Sequence, residues 1–213
     1  KGSLLVEVQP FVVITSRDVL LFDTGLGFET GGVSQLHRNL NDAGINVSDV
    51  TKVLLSHLHK DHSGGVSLEG DTGNPRRVSF PGATYYLQKQ ELEYAMQKGF
   101  PSYIIDDFEP LQAASNVVLL DGNGTIDDYI RYELTGAHCP YHQVFWVAED
   151  NSTIFFGGDV APQLQQMKSR FIAKYDYDGK RCMELRKQWW MEGEKGKWTF
   201  LFYHDIKTPT FSF

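Results

Sequence analysis

The chain has 213 residues, a formal net charge of −7 at pH 7, and hydrophobic and charged fractions of 41% and 22%. These values are ordinary for a globular protein, and the length predicts one domain spanning residues 1–213 that buries a core without disulfides. The acidic balance and the lack of a basic patch argue against nucleic acid or an anionic membrane as a partner. No apolar run approaches the length of a membrane-spanning helix.

The two cysteines and the first three residues indicate where in the cell the protein is expected to be. Cys139 and Cys182 are too few for a disulfide framework, and two thiols fit a reducing compartment, so we expect a cytoplasmic protein. Lys1-Gly2-Ser3 does not read as a native start. An N-terminal strand or a cleaved signal peptide before Lys1 therefore stays open.

The first half of the chain alternates apolar runs with turns. Runs rich in Val, Ile, Leu and Phe predict strands, and apolar residues at helical spacing predict helices. The predicted strands are Leu4–Thr15 (one or two), Val19–Phe22, Val53–Leu55 and Ala83–Tyr86. The predicted helices are a segment ending at Gly44 and Gln88–Lys98, and the predicted loops are Gly70–Pro81 and Phe100–Pro110, the latter a candidate lid.

The second half repeats this rhythm. The predicted strands are Val117–Leu120, Tyr129–Leu134, Val144–Ala148, Thr153–Phe156 and Trp198–Tyr203, and the predicted helices are Gln163–Ala173 and Gly179–Trp190. Turn residues between the third and fourth of these strands indicate a hairpin. Two β-rich halves interspersed with helices favour an α/β (α+β) fold in which two sheets pack on each other with helices outside.

The most informative stretch is the hexapeptide His57–His62, which reads His-Leu-His-Lys-Asp-His and directly follows an apolar run. Neutral imidazole and carboxylate suit zinc, and also iron or manganese. His57 and His59 project to the same side if the strand stays extended, and the glycines that follow allow Asp61 and His62 to turn back. Four donors in one hexapeptide exceed the need of a single closed site, which favours two metals sharing the cluster.

Further donors also fall at the ends of predicted strands. His138, Asp159 and His204 each follow a strand, and five of the seven histidines lie at such positions. Because loops at one edge of a rigid sheet scaffold can converge on a single pocket, we expect these side chains to join the hexapeptide.

The hexapeptide, followed in order by His138, Gly158-Asp159 and His204, resembles the metallo-β-lactamase-fold hydrolase superfamily over most of the chain, from about Val19 to Asp205. The resemblance implies an αββα sandwich of two mixed β-sheets flanked by helices, with a dinuclear site at one edge. By the same resemblance, the first metal is held by His57, His59 and His138, the second by Asp61, His62 and His204, and Asp159 bridges both.

The Asp23-Thr24-Gly25 turn also matches the first motif of the superfamily. By that match, Asp23 supports the ligands from behind instead of binding a metal, although a simple turn aspartate is the alternative.

Among the branches of the superfamily, the chain is most similar to the N-acyl-homoserine-lactonase-like one, where a segment resembling Phe80–Glu91 is common. The bridging Asp159 argues against antibiotic hydrolysis. The chain departs from those lactonases at Pro162, where they place a tyrosine that contacts the substrate carbonyl. Tyr141 is a candidate to supply a phenol instead, and packing is its alternative role.

The implied activity is hydrolysis of a lactone or carboxylic ester by a metal-bridging hydroxide, which two divalent ions make available near neutral pH. Zinc is the expected metal, with manganese or iron as alternatives, and Asp61 is the expected proton relay. Phe28, Tyr103 and Tyr141 are candidate substrate contacts. Phosphodiester hydrolysis on the same site, or a mononuclear iron oxygenase, stays open. The expected partner is a small molecule, and a homodimer stays open.

Overall fold

A computed structural model of the protein describes residues 7–70 and 75–213. They form two compact units: the N-terminal unit, Pro10–Asp121, and the C-terminal unit, which contains residues 122–213 together with residues 7–9. Residues 4–6 of the segment Leu4–Thr15, predicted to form one or two strands, lie outside the described residues.

The N-terminal unit is built on a five-stranded sheet. Its strands, in the spatial order β1-β2-β5-β8-β9, are β1 (Phe11–Ile14), β2 (Val19–Phe22), β5 (Lys52–Leu54), β8 (Thr84–Gln88) and β9 (Val117–Leu120). Only β1 runs antiparallel to its neighbour, and the remaining pairs are parallel. Short two-residue strands form two further pairs, β3 (Glu29–Thr30) with β4 (Val33–Ser34) and β6 (Ser67–Leu68) with β7 (Arg77–Val78).

The parallel pairing of β2 with β5 places two functional segments side by side. Phe22 is in register with Leu54, so Asp23 and the hexapeptide leave the sheet at the same edge. After the first residue, both strands consist of buried apolar side chains, as expected for parallel strands covered on both faces. The register alone therefore brings Asp23 close to the segment that begins at Ser56.

The helices of the N-terminal unit are α1 (Gln35–Asp42), α2 (Lys60–Ser63), α3 (Lys89–Lys98) and α4 (Ile105–Phe108). Two loop predictions were wrong in part. The segment Phe100–Pro110 contains α4 and the start of a 3-10 helix because Phe108 is fully buried and anchors it in the core. The segment Gly70–Pro81 contains β7, which gains its pairing from β6.

The C-terminal unit is built on a six-stranded sheet with the spatial order β10 to β15. The strands are β10 (Gly124–Ile126), β11 (Ile130–Leu134), β12 (Gln143–Glu149), β13 (Ser152–Phe156), β14 (Thr199–Leu201) and β15 (Thr210–Ser212). All neighbours are antiparallel except β13 and β14. The predicted hairpin is confirmed as β12 and β13.

Strand direction explains where the donors of this unit meet. Since β11 and β13 are each antiparallel to β12, they run the same way, and β14 is parallel to β13. His138, Asp159 and His204 follow β11, β13 and β14 respectively. All three therefore lie beyond the same edge of one sheet.

Two helices cover this sheet: α5 (Leu164–Met167) and α6 (Gly179–Gly196). The helix predicted over Gln163–Ala173 was too long. The chain beyond Met167 is not helical, and its Phe171 carbonyl accepts a hydrogen bond from the buried Arg186 of α6. The Phe171 carbonyl thus accepts a tertiary hydrogen bond instead of the backbone hydrogen bond that it would accept inside a helix.

The described residues confirm the predicted fold class, with mixed sheets and helices in each unit. Among residues 7–70 and 75–213, no helix has the length and hydrophobicity needed to cross a membrane. Cys139 and Cys182 are both buried, and neither forms a disulfide.

Candidate metal centre

The donors of the hexapeptide cluster at the end of β5. His57 Nε2 lies 3.0 Å from His59 Nδ1, and the rings of His57 and His62 have centroids 4.2 Å apart. Asp61 Oδ2 lies 3.8 Å from His62 Nε2. We expected the glycines after the hexapeptide to let Asp61 and His62 turn back toward His57 and His59. In the structure the single turn of α2 reverses the chain, and His59, in an extended conformation, is its N-cap residue.

Asp23 stands behind two of these histidines. It is fully buried, and its carboxylate accepts hydrogen bonds from Ser56 N, Ser56 Oγ and His62 Nδ1, each at 2.7 Å. Burial raises the pKa of the Asp23 carboxyl above its ordinary value, while His62 and Ser56 oppose that rise.

The same network sets the tautomer of His57. The single hydroxyl proton of Ser56 goes to Asp23, so Ser56 Oγ accepts from His57 Nδ1 at 3.0 Å. His57 and His62 are therefore both protonated at Nδ1 and present their Nε2 lone pairs. A histidine that binds a metal through Nε2 needs this state.

Two loops hold this arrangement together through the backbone. Thr24 N and Thr24 Oγ1 both donate to the His62 carbonyl, at 2.7 and 3.0 Å. A Cβ atom on Gly65 would lie 2.3 Å from the Thr24 carbonyl oxygen, and one on Gly27 would lie 2.1 Å from the Gly64 oxygen. The turn after β2 and the glycines after the hexapeptide thus pack closer than any side chain permits.

Two supports of the hexapeptide come from α3 and the α3–α4 connection. The buried carboxylate of Glu91 accepts from Leu58 N at 2.9 Å, which fixes the residue between the first two histidines. The ring of Tyr103 lies 4.9 Å from that of His59. Sequence reasoning missed Glu91, although an acidic residue inside an amphipathic helix was a visible signal.

In the C-terminal unit, Asp159 lies between two histidines. Its Oδ2 is 3.3 Å from His138 Nε2, and its Oδ1 is 3.1 Å from His204 Nε2. His138 Nδ1 donates to Asp176 Oδ1 at 2.9 Å, and His204 Nδ1 donates to the backbone carbonyl of Glu7. Each imidazole again donates from Nδ1 to an oxygen acceptor and turns its Nε2 atom toward a different oxygen of one carboxylate.

His142 supports Asp159 through the backbone. Thr135 Oγ1 donates to the His142 carbonyl and therefore accepts from His142 Nδ1, at 2.9 and 3.2 Å respectively. His142 Nε2 is then free to accept from Asp159 N at 3.2 Å. This fully buried histidine therefore acts as a structural group.

The three predicted substrate contacts differ in exposure. Phe28 is 60% exposed, Tyr141 is half-buried, and Tyr103 is 3% exposed and faces His59. Tyr103 therefore contributes to packing beneath a donor more than to a surface open to a ligand. The carbonyl of Pro162 accepts a hydrogen bond from His204 N at 3.0 Å. Pro162 therefore helps to hold His204 in place through its backbone.

The donor set fits divalent metal ions. Four histidines, two in each unit, have Nδ1 hydrogen-bonded to an oxygen acceptor, which directs Nε2 toward the neighbouring donors. Nitrogen and carboxylate donors of this kind suit zinc, manganese and iron. The fold and these two donor groups define an α/β protein with side chains suited to binding divalent metal ions.

The family model described as the metallo-β-lactamase superfamily matches residues 6–207, and the chain belongs to that superfamily. Among curated proteins, the N-acyl homoserine lactonase AttM of Agrobacterium fabrum is 32% identical over 122 residues, 51% of this chain and 40% of the lactonase. AttM of Azorhizobium caulinodans is 32% identical over 117 residues, 49% of this chain and 38% of that protein. The matches thus span about two fifths of these relatives.

Solved structures of similar fold cover nearly the whole chain. A probable metal-dependent hydrolase from Staphylococcus aureus superposes with a TM-score of 0.82 at 17% identity, over 97% of this chain and 77% of that one. AidC, a dizinc quorum-quenching lactonase solved with N-hexanoyl-L-homoserine as product, superposes with a TM-score of 0.76 at 21% identity, over 96% and 74%. At these identities the likeness establishes the fold.

Proposed function

We propose that the chain is a dinuclear metal-dependent hydrolase that opens a lactone or cleaves a carboxylic ester. In this proposal, one metal is held by His57, His59 and His138, the other by Asp61, His62 and His204, and Asp159 bridges the two. The observation that carries the proposal is the position of Asp159, whose two carboxylate oxygens lie 3.3 and 3.1 Å from the Nε2 atoms of two different histidines. A carboxylate that offers one oxygen to each of two donor groups is suited to bridging.

Two bound divalent ions would polarise a carbonyl and make a water molecule nucleophilic near neutral pH. The residues of the chain would orient the metal ligands and transfer the proton. The Nδ1 acceptors behind the histidines fix the directions of the Nε2 lone pairs before any ion arrives, which reduces the reorganisation needed on binding. Zinc suits this donor set best, and manganese or iron is compatible with it.

Asp61 is the proposed proton relay. Asp61 is the carboxylate of the hexapeptide, and its side chain is 30% exposed, whereas the neighbouring His62 is fully buried. Asp61 therefore has access to solvent. A carboxylate at the boundary between metals and water can accept a proton from the nucleophile and release it to the leaving group or to solvent.

The substrate class is proposed from the relatives and from the surface near the donors. The curated relatives are named N-acyl homoserine lactonases, and a structural neighbour was solved with an acyl-homoserine product. Phe28, exposed beyond the Asp23 turn, offers apolar surface for an acyl chain. Pro162 cannot supply a phenol to the carbonyl, so we expect a substrate range different from that of lactonases with tyrosine there.

The first test is elemental analysis of protein purified without chelator, followed by a screen of lactones, aryl esters and phosphodiesters. We expect about two equivalents of zinc, manganese or iron, and turnover of lactones or esters that Asp61→Asn reduces at least about a hundredfold. Lys60→Gln, a change beside Asp61 without a proposed role, is the matched control. One equivalent of iron alone, or turnover of phosphodiesters alone, would overturn the proposal.

A further inference from the structure

Asp176 is a buried carboxylate outside every motif considered so far. It lies between α5 and α6, 38 residues after His138, and its side chain is 2% exposed. Its Oδ1 atom is 2.9 Å from His138 Nδ1. A carboxylate this deeply buried carries a large desolvation cost, and such groups persist where specific donors compensate that cost.

The backbone around Asp176 is fixed to the loop that carries His138. Tyr177 N donates to the His138 carbonyl at 3.0 Å, and Asp178 N donates to the Ala137 carbonyl at 2.8 Å. Asp178 also caps α6, because its Oδ1 accepts from Arg181 N at 2.9 Å. The position of Asp176 is thus set by hydrogen bonds on its C-terminal side that do not involve its own side chain.

Helix α6 surrounds the carboxylate with two further groups. The Cys182 thiol hydrogen-bonds to Asp176, and burial together with that carboxylate raises the pKa of the thiol to about 12. The buried guanidinium of Arg186 lies close enough for Asp176 to oppose the fall in its pKa that burial causes. A nearby cation and two hydrogen-bond donors, His138 and Cys182, therefore accompany the buried negative charge.

We propose that Asp176 is a positioning residue that holds His138 protonated at Nδ1 and aims its Nε2 lone pair toward Asp159 and the metal site. The inference deepens the proposed function and rests on it for the identity of the ligand. Its counterpart in the N-terminal unit is Asp23, which holds His62 in the same way at 2.7 Å. Each unit would then carry its own buried carboxylate behind a metal-binding histidine.

The test compares zinc affinity, measured by competition with a chromophoric chelator, in the wild type, Asp176→Ala, Asp176→Asn and the control Asp178→Asn. The control removes an equal charge two residues away while keeping the helix cap, since asparagine caps as well as aspartate. We expect Asp176→Ala to weaken zinc binding about 10–100-fold, Asp176→Asn to weaken it less because its amide oxygen still accepts, and the control to match the wild type.

Nitrogen-15 NMR of the histidine rings in the chelator-treated proteins gives a second readout that needs no activity. We expect His138 to be protonated at Nδ1 in the wild type and in Asp176→Asn, whose amide oxygen still accepts, and to lose that preference in Asp176→Ala. The zinc affinity of Asp176→Asn keeps the inference testable if Asp176→Ala fails to fold. Zinc binding within twofold of the wild type in every Asp176 variant that folds, or an unchanged His138 tautomer in Asp176→Ala, would overturn the inference. A wild type that binds no metal would instead overturn the proposed function.

Discussion

The Oδ2 atom of Asp23 lies 2.7 Å from Nδ1 of His62, and both side chains are fully buried. Asp23 directly follows β2, and His62 lies on α2 beyond the end of β5; β2 and β5 are parallel neighbours whose ends are in register. Through Ser56 the same carboxylate also determines the tautomer of His57. A single buried aspartate therefore orients two histidines of the candidate centre.

Replacing Asp23 should lower both stability and metal affinity. Asp23→Asn keeps a residue type that tolerates the positive φ of 53° at this position, but it offers a weaker acceptor to three donors. We expect the free energy of unfolding to fall by about 1–3 kcal/mol and zinc affinity to fall about tenfold, measured by urea unfolding and chelator competition. Asp150→Asn, which changes an exposed aspartate at φ 52°, should change neither quantity and serves as the control.

Replacing Asp159 should affect both metals together. Because each oxygen of Asp159 faces a different histidine, Asp159→Ala removes a donor from both proposed metals, whereas His204→Ala removes one from the second metal alone. Elemental analysis should give close to zero equivalents for Asp159→Ala and about one for His204→Ala. Retention of two metals by Asp159→Ala would count against a bridging role.

The close approach of two loops should make Gly65 intolerant of a side chain. A Cβ atom there would lie 2.3 Å from the Thr24 carbonyl oxygen, so Gly65→Ala must displace the turn that holds His62. We expect Gly65→Ala to lower the free energy of unfolding by about 1–3 kcal/mol and to weaken zinc binding. Gly82→Ala, where a Cβ meets nothing within 4 Å, should stay within about 0.5 kcal/mol of the wild type.

Asp107 should make stability depend on pH away from the metal centre. Burial raises its pKa to about 6, with Arg76 opposing the rise and Asp106 adding to it. The folded state keeps this proton up to about pH 6 and the unfolded state loses it near pH 4, so the stabilisation is complete below pH 4 and disappears as pH rises through 6. Urea unfolding should show Asp107→Asn gaining stability relative to the wild type between those values.

The control for this experiment is Glu109→Gln, which removes an exposed carboxylate of the same segment. Its stability difference from the wild type should stay nearly constant over the same pH range. A constant difference for Asp107→Asn as well would show that the Asp107 carboxyl titrates normally.

Local sequence patterns predicted many of the strands and helices. Val19–Phe22 and Val117–Leu120 are strands with the predicted bounds, because continuous β-branched and large apolar residues leave few alternatives to a buried strand. The predicted end of the helix Gln88–Lys98 is confirmed: α3 ends at Lys98, and the cap residue Gly99 has a φ of 58°, a conformation that glycine adopts freely. The shorter elements, α4 and β10, were missed since their stability comes from burial and pairing across the sheet, which no local window contains.

The sequence by itself determined the family and the proposed donors, because metal binding requires imidazole and carboxylate at fixed spacings that chance rarely produces. Only the tertiary structure identified Asp176 and Glu91 as supports, since a buried carboxylate 38 residues from His138 has no local signature. The directions of the strands determined which of these side chains lie close together. Parallel neighbours bring Asp23 beside His62, and three strands running the same way bring His138, Asp159 and His204 to one sheet edge.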